Sequence, residues 1–283
     1  MMQRCLVVGG DGLIGRSLVQ HWRKAGVPVM TTTRRQPSSE CVRLDLDEVQ
    51  DDWLPPEGCG VAVLCAGVTH QKSCLESPDQ TRRINVEQTL KLARALARSG
   101  CFVVFLSTNL VFDGLRPFPP VDTPQNPKTE YGRQKTRVEQ SLAEKGDGWA
   151  VVRLTKVIHL GLPLISHWRE ALALRRSVEA FDDYVCSPIS LDVAIKAIAQ
   201  IAVGRHPGFW HVSGADDVSY ASLARLLSAE MNRDPALVQT RSGGSSMEHL
   251  PRFATLDSSA TRREFAIVAP TAREVVAGLL TNS

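Results

Sequence analysis

What the chain lacks excludes several classes of protein. Its seven cysteines (Cys5, Cys41, Cys59, Cys65, Cys74, Cys101 and Cys186) form no CxxC pair and no Cys/His zinc spacing. An odd, scattered set argues against a disulfide framework and for a reducing cytoplasm. His70, His159, His167 and His211 show no metal-ligand spacing either, so no metal is expected. Charge of one sign is not in surplus: 33 Lys and Arg stand against 30 Asp and Glu, for a net charge of +3. The basic residues are scattered, so nucleic acid is not an expected partner. No apolar run approaches the ~20 residues that span a bilayer. The first residues read as a strand rather than as a charged-then-apolar leader. A cytoplasmic protein without a membrane partner is expected. Internal repeats and low-complexity tracts are also missing. At 283 residues and 43% hydrophobic content, one large domain, or a domain with a smaller lobe, can build its core without staples.

What is present begins at the N-terminus. Cys5-Leu6-Val7-Val8 is an apolar run that breaks into Gly9-Gly10-Asp11-Gly12-Leu13-Ile14-Gly15, after which helical spacing resumes. A buried strand, a glycine turn and a helix start fit this order. Gly9 permits the sharp turn, Gly12 a close approach of backbone to a pyrophosphate, and Gly15 close helix packing. The amides of Leu13, Ile14 and Gly15 then face the phosphates at the positive end of the helix. The spacing is GxxGxxG rather than GxGxxG, and a glycine turn that binds nothing is the alternative. A second strand, 27–33, ends at Arg34 and Arg35. Guanidinium groups there can grip a 2′-phosphate, which favours NADP(H) over NAD(H). Two solvated loop arginines are the alternative.

Further strands are read at 42–46, 60–67, 101–106 and 149–157. Asp45, ending the third, could reach an adenine ring or cap the next turn. Cys65-Ala66-Gly67 ends the fourth and would face the cofactor, because ligands sit at the C-terminal ends of strands in open α/β sheets. Cys65 itself reads as small packing rather than as a nucleophile. A helix spans 78–99; its Asn85 either braces a loop or faces solvent. A Pro-rich loop follows the fifth strand, and Tyr131 opens a helix running to about residue 144. Strands alternating with helices argue an α/β fold, a Rossmann-like doubly wound parallel sheet. After residue 160 the rhythm changes. Helices are read at 167–176, 191–203, 220–231 (capped by Ser219) and 272–280, a strand at 209–212, and a polar, mobile loop at 241–248. The expected domains are therefore a dinucleotide-binding domain, 1–160, and a smaller substrate lobe, 161–283, from which some strands and helices return to the sheet.

The chemistry resides in Thr108, Tyr131 and Lys135. Tyr131 and Lys135 lie four apart on a helix and share a face. A cationic Lys beside a phenol lowers the Tyr pKa from about 10 and suits it to move a proton to or from a substrate oxygen. Thr108, at the end of the 101–106 strand, can hold that oxygen. With a nicotinamide beside it, the set interconverts a carbinol and a carbonyl.

Together these features resemble the extended short-chain dehydrogenase/reductase superfamily, and within it the dTDP-4-dehydrorhamnose reductase family. Residues 106–114, LSTNLVFDG, resemble that family's LSTDYVFDG. Residues 66–69, 76–78 and 84–87 are similar to its loop and helix after the fourth strand, 127–135 to its P-x-x-x-YG-x-x-K, 186–194 to its G-x-P-T…DLA, and 208–214 to its GiyHlsG. The resemblance implies Thr108 as substrate-oxygen binder, Tyr131 as general acid, and Lys135 as its partner and a ribose ligand. It implies Gly9, Gly12 and Gly15 on the pyrophosphate and a nucleotide-sugar as substrate, and it leaves a homodimer open. Asn109 and Leu110 depart from the family's Asp and Tyr, 153–159 keeps only the start of RTSWVYG, and 178–183 replaces the usual segment; these positions belong to the substrate wall. Asn109, Trp168 and Arg175 are candidate substrate contacts, although a helix packing its Trp and solvating its Arg reads equally well. The expected function is NADPH-dependent reduction of a nucleotide-sugar ketone. A sugar-nucleotide epimerase or dehydratase, and a non-catalytic NADP-binding regulatory subunit, are the alternatives.

Overall fold

The computed structural model describes residues 4–243 and 248–281. The glycine turn separates β1 (Arg4–Val8) from α1 (Leu13–Lys24), which packs Leu18 and Trp22 inward and ends as Gly26 turns the chain at φ 71. Then follow β2 (Val29–Thr33), β3 (Cys41–Arg43), β4 (Cys59–Leu64), α2 (Gln71–Glu76), α3 (Pro78–Arg82), a π-helical turn (Arg83–Gln88), α4 (Thr89–Arg98), β5 (Phe102–Thr108), α5 (Glu130–Ala143) and β6 (Trp149–Leu154). One seven-stranded sheet has the order β3-β2-β1-β4-β5-β6-β11, where β11 is Gly208–Val212. Strands β1 to β5 pair in parallel. Chain order reverses between β1 and β4, the switch point at which open α/β sheets bind ligands. β5 is buried along its whole length, and Leu6, Ala62, Val103 and Val151 belong to one core with Leu92 and Leu96 of α4.

The chain divides into two compact units, each discontinuous in sequence. The first comprises the chain up to Val111, Gln125–Arg153 and Ile195–Trp210; the second comprises Phe112–Pro124, Leu154–Ala194 and the chain from His211 onward. The second unit carries β7 (Lys156–Ile158), α6 (Pro163–Ala173), β8 (Val178–Phe181), β9 (Val185–Cys186), β10 (Pro188–Ser190), the first turn of α7 (Leu191–Gly204), β12 (Val218–Ser219), α8 (Tyr220–Glu230), β13 (Val238–Arg241), α9 (Ser259–Phe265) and α10 (Ala272–Thr281). Its core gathers Ile165, Trp168, Leu172, Leu223, Leu227 and Val276.

Several elements differ from the sequence reading. β3 stops at Arg43, and beyond it the Asp47 amide donates to Asp45 Oδ1 at 3.0 Å and turns the chain. The helix expected at 78–99 is broken by the π turn and preceded by α2. α6 begins at Pro163 rather than 167, with proline at its first position, where no amide partner is needed. The 178–183 segment holds a strand, β8, paired in parallel with β13. Arg241, assigned to a loop, closes β13; the rest of that loop's centre, 244–247, lies outside the described residues. Ser219 does cap α8, accepting from the Ser222 amide at 3.1 Å.

Candidate active site

The glycine turn is shaped by close approach. Gly9 has φ 90, its amide donates to Thr32 Oγ1 at 3.0 Å, and a Cβ on it would lie 2.8 Å from the Ala66 nitrogen. A Cβ on Gly15 would fall onto the Gly9 carbonyl, and one on Gly10 onto Thr31 Oγ1. Gly10 was not singled out from sequence; its constraint comes from β2, twenty residues away. Gly12 is the N-cap of α1, with no side-chain cap and no acidic residue in the first turn, so the opening amides of Leu13, Ile14 and Gly15 have no competing anion. Beside the turn lies a cleft of about 440 Å³ in which the structure gathers Gly9, Gly12, Arg34, Asp45, Cys65, Ala66 and Gly67. Tight backbone, uncapped helix amides and an exposed Arg34 with no partner among the described residues fit a dinucleotide. Arg35 is also exposed; its amide donates to Thr33 Oγ1 at 3.1 Å. Three carboxylates line the same cleft, each engaged. Asp11 accepts from Thr33 Oγ1 at 2.7 Å, Asp45 from the Asp47 amide, and Asp47 lies 3.4 Å from Arg83 Nε. Burial pushes the Cys65 thiol up to about 12, with Lys135 opposing, so it is not a ready nucleophile.

Thr108 closes β5 and is buried. Its hydroxyl accepts from the Leu110 amide at 3.2 Å and lies 3.4 Å from Asn109 Oδ1. The short helical turn Asn109–Val111 then meets the start of α5. A Cβ on Gly132 would fall onto the Leu110 carbonyl, so glycine next to Tyr131 lets α5 dock against the Thr108 end of β5. Thr129 caps α5, accepting from the Gly132 amide at 3.0 Å. One turn on, Lys135 is 6% exposed; its Nζ donates to the Leu106 carbonyl at 2.9 Å and sits 4.4 Å from the Phe105 ring centroid and 5.6 Å from that of Tyr131. Its charge reaches Cys65, which lines the cleft.

The electrostatics differ from expectation. Burial raises the Tyr131 phenol above its ordinary value, with Cys74 adding to the shift, and Lys135 does not bring it down. Burial also lowers Lys135, to about 8, against the pull of Glu139. The ammonium is committed to a backbone carbonyl and sits below the ring. Tyr131 is thus a phenol that keeps its proton, as an acid must.

A buried polar network, unread from sequence beyond the open choice at Asn85, holds this pair. Asn85 lies in the π turn and is 3% exposed. Its Oδ1 accepts from the Val68 amide at 2.8 Å, and its Nδ2 donates to the Val68 carbonyl at 2.9 Å and to Gln134 Oε1 at 2.8 Å. It braces the loop after β4. Gln134 Nε2 donates to Thr81 Oγ1 at 2.9 Å and Glu130 Oε1 at 3.0 Å. Gln134 sits between Tyr131 and Lys135 in sequence; only its place inside the YxxxK spacing could have marked it.

Of the substrate candidates, Asn109 is half-buried next to Thr108. Trp168 is 1% exposed in the core of the second unit, its indole donating to the Glu179 carbonyl at 3.3 Å; it also lines a cavity there of about 430 Å³ with His167, Phe181 and Tyr220. Arg175 is exposed, with φ 54, just past α6. His211 is buried, its Nδ1 3.1 Å from the Asp257 carbonyl. Among the described residues no cluster of His, Cys, Asp and Glu could hold a metal ion, and no helix is long and apolar enough to cross a membrane.

A parallel sheet with this strand order, a glycine turn at its switch point and a Tyr/Lys pair beside the end of β5 define a nucleotide-binding protein of the short-chain dehydrogenase/reductase class. The family described as RmlD substrate binding domain matches residues 2–283, and the chain belongs to that family. It is 29% identical over 245 residues to a dTDP-4-dehydrorhamnose reductase of Mycolicibacterium smegmatis, covering 84% of this chain and 72% of that one. It is 31% identical over 162 residues to methionine adenosyltransferase 2 subunit beta of Bos taurus, covering 54% of this chain and 46% of the relative. A dTDP-4-dehydrorhamnose reductase structure from Bacillus anthracis, solved with NADP, superposes with TM-score 0.84 at 19% identity, over 100% of this chain and 99% of that one.

Proposed function

We propose that the chain is an NADP(H)-dependent reductase of a keto group on a nucleotide-sugar, with a dTDP-4-keto-6-deoxy sugar as the first substrate to test. The observation that carries this reading is the buried Lys135 ammonium, held on the Leu106 carbonyl beneath Tyr131 and within electrostatic reach of the cleft at Cys65. In this reading Gly9, Gly12 and the amides of Leu13, Ile14 and Gly15 hold the pyrophosphate. Arg34 and Arg35 take the 2′-phosphate, while Asp45 and Cys65–Gly67 line the rest of the cofactor's path. A reduced nicotinamide supplies the hydride. Thr108 holds the carbonyl oxygen, with Asn109 beside it. Tyr131, whose proton burial holds on the phenol, gives it to that oxygen as the carbon is reduced, with Lys135 fixed one turn on by the Leu106 carbonyl.

The similarity to a subunit of Bos taurus methionine adenosyltransferase 2 supports a second reading, in which this chain is a subunit of another enzyme. The experiment is NADPH oxidation with a panel of keto nucleotide-sugars, run on the parent and on Tyr131→Phe. Turnover that Tyr131→Phe lowers by roughly 10² or more, with NADPH affinity nearly unchanged, supports the reductase. An unchanged rate removes Tyr131 as the acid. NADPH binding without turnover, together with a stable protein complex, favours the subunit. Cofactor that survives gel filtration and is not consumed indicates an epimerase or dehydratase.

A further inference from the structure

Three thiols meet at the other end of the sheet from the cofactor cleft. Cys59 opens β4, Cys101 immediately precedes β5, and Cys5 lies in β1 next to β4. Val61 stands opposite Phe102, so the register sets Cys101 against Gly60, one residue from Cys59 on the neighbouring strand. The β1–β4 register slips here: Arg4 faces Cys59 but Cys5 faces Val61, which leaves Gly60 as an extra residue. A bulge re-aims the side chains around it. Cys101 Sγ donates to the Cys59 carbonyl at 3.1 Å and Cys59 Sγ to the Val61 carbonyl at 3.6 Å, and each thiol shifts the titration of the other. Arg205, just past α7, donates to the Gly60 carbonyl at 2.9 Å, which brings its guanidinium to the same corner. Cys101 is 3% exposed, whereas Cys59 is half-buried.

Geometry and charge suit a dithiol. Neighbouring strands run about 4.8 Å apart, and a disulfide joins Cα atoms about 4.4–6.8 Å apart. We propose that Cys59 and Cys101 form a reversible disulfide, a modification site that reacts with hydroperoxides and lies outside the reductase centre. The neighbouring Cys59 thiol, aided by Arg205, holds the Cys101 thiol below its ordinary value in spite of burial, while proximity to Cys101 and burial push the Cys59 thiol up. Cys101 is thus the attacking thiolate and Cys59 the resolving thiol. The Cys101 sulfur attacks a hydroperoxide: an S–O bond forms, the O–O bond breaks, and an alcohol (water, from hydrogen peroxide) leaves. The Cys59 sulfur then attacks the Cys101 sulfenic acid; the S–S bond forms, the S–O bond breaks, and hydroxide leaves as water with the Cys59 proton. The two thiols lose two electrons and the peroxide gains them.

The test uses the reduced full-length protein and a single equivalent of hydrogen peroxide, followed by alkylation, thiol counting and non-reducing peptide mapping. The expected result is loss of two of the seven thiols, a linked pair of peptides carrying Cys59 and Cys101, and recovery of both thiols with dithiothreitol. In Cys59→Ser, dimedone should trap a sulfenic acid at Cys101. Seven intact thiols, first oxidation at another cysteine, or a Cys5–Cys59 link overturns the proposal. The map of the parent protein decides the matter even where a variant fails to fold.

Discussion

At the scale of single residues, Lys135 sets the pH dependence expected of the proposed reductase. Its folded value of about 8 lies below that of a free lysine, so the ammonium is present below pH 8 and is lost as pH rises through it. Tyr131, held up by burial, stays protonated across this window. The kcat/KM for a keto nucleotide-sugar is therefore expected to fall above about pH 8, as free-enzyme ionisations are read from that parameter. Lys135→Arg, which keeps its charge, should carry the falling limb to higher pH; a limb unmoved by that change would belong to another group. In the proposed reading Arg34 carries the cofactor preference, since Asp11, Asp45 and Asp47 already have partners. Arg34→Ala should weaken NADPH binding about tenfold, ~1.4 kcal/mol, and leave NADH binding unchanged. Energy transfer from the five tryptophans to the reduced nicotinamide measures both.

Among the elements, the π turn at Arg83–Gln88 and the first turns of α5 act together. The π turn directs Asn85 into the interior, where it joins the loop after β4 to Gln134. π-bulges recur at functional sites. Gln134→Ala would leave Asn85 Nδ2, Thr81 and Glu130 each short of a buried partner. Urea titration should show a loss of about 1–3 kcal/mol. Activity should lose kcat more than KM, because the network orients Tyr131 and Lys135 without touching substrate. A variant with full kcat would make the network structural alone. Asn85 illustrates the limit of local reading: its neighbours in sequence permit either a solvent-facing or a bracing role, and its partners lie 17 and 49 residues away.

For the molecule as a whole, the cleft beside the glycine turn, Thr108, Tyr131 and Lys135 all belong to the first unit, and the second has its own core. The first unit is fastened by a buried ion pair. Arg153 of β6 donates to Glu139 of α5 at 2.7 Å through Nη2, with side chains 2% and 0% exposed, and the Phe209 ring lies 4.5 Å from the guanidinium. Glu139→Ala takes the carboxylate away from that buried guanidinium, a loss of about 3–5 kcal/mol. Thermal and urea unfolding should both register the loss, and an unchanged midpoint would mean that water reaches Arg153.

The sequence by itself determined the alternation of strands and helices, the glycine turn, the capping of α8 and the spacing of Tyr131 and Lys135. Each is written in a period of two or 3.6 residues, or in a conformation only certain residues adopt, and such signals need no distant partner. Only the tertiary structure decided how Lys135 is held, since the Leu106 carbonyl and the Phe105 ring come from another strand and burial reverses the expected shift of Tyr131. It also decided that Gly10 and Gly132 meet backbone or side chains of other segments, and that Cys59 and Cys101 meet at all. The two units are discontinuous for the same reason. Compactness is a property of contacts between distant segments, and no window of neighbouring residues contains them.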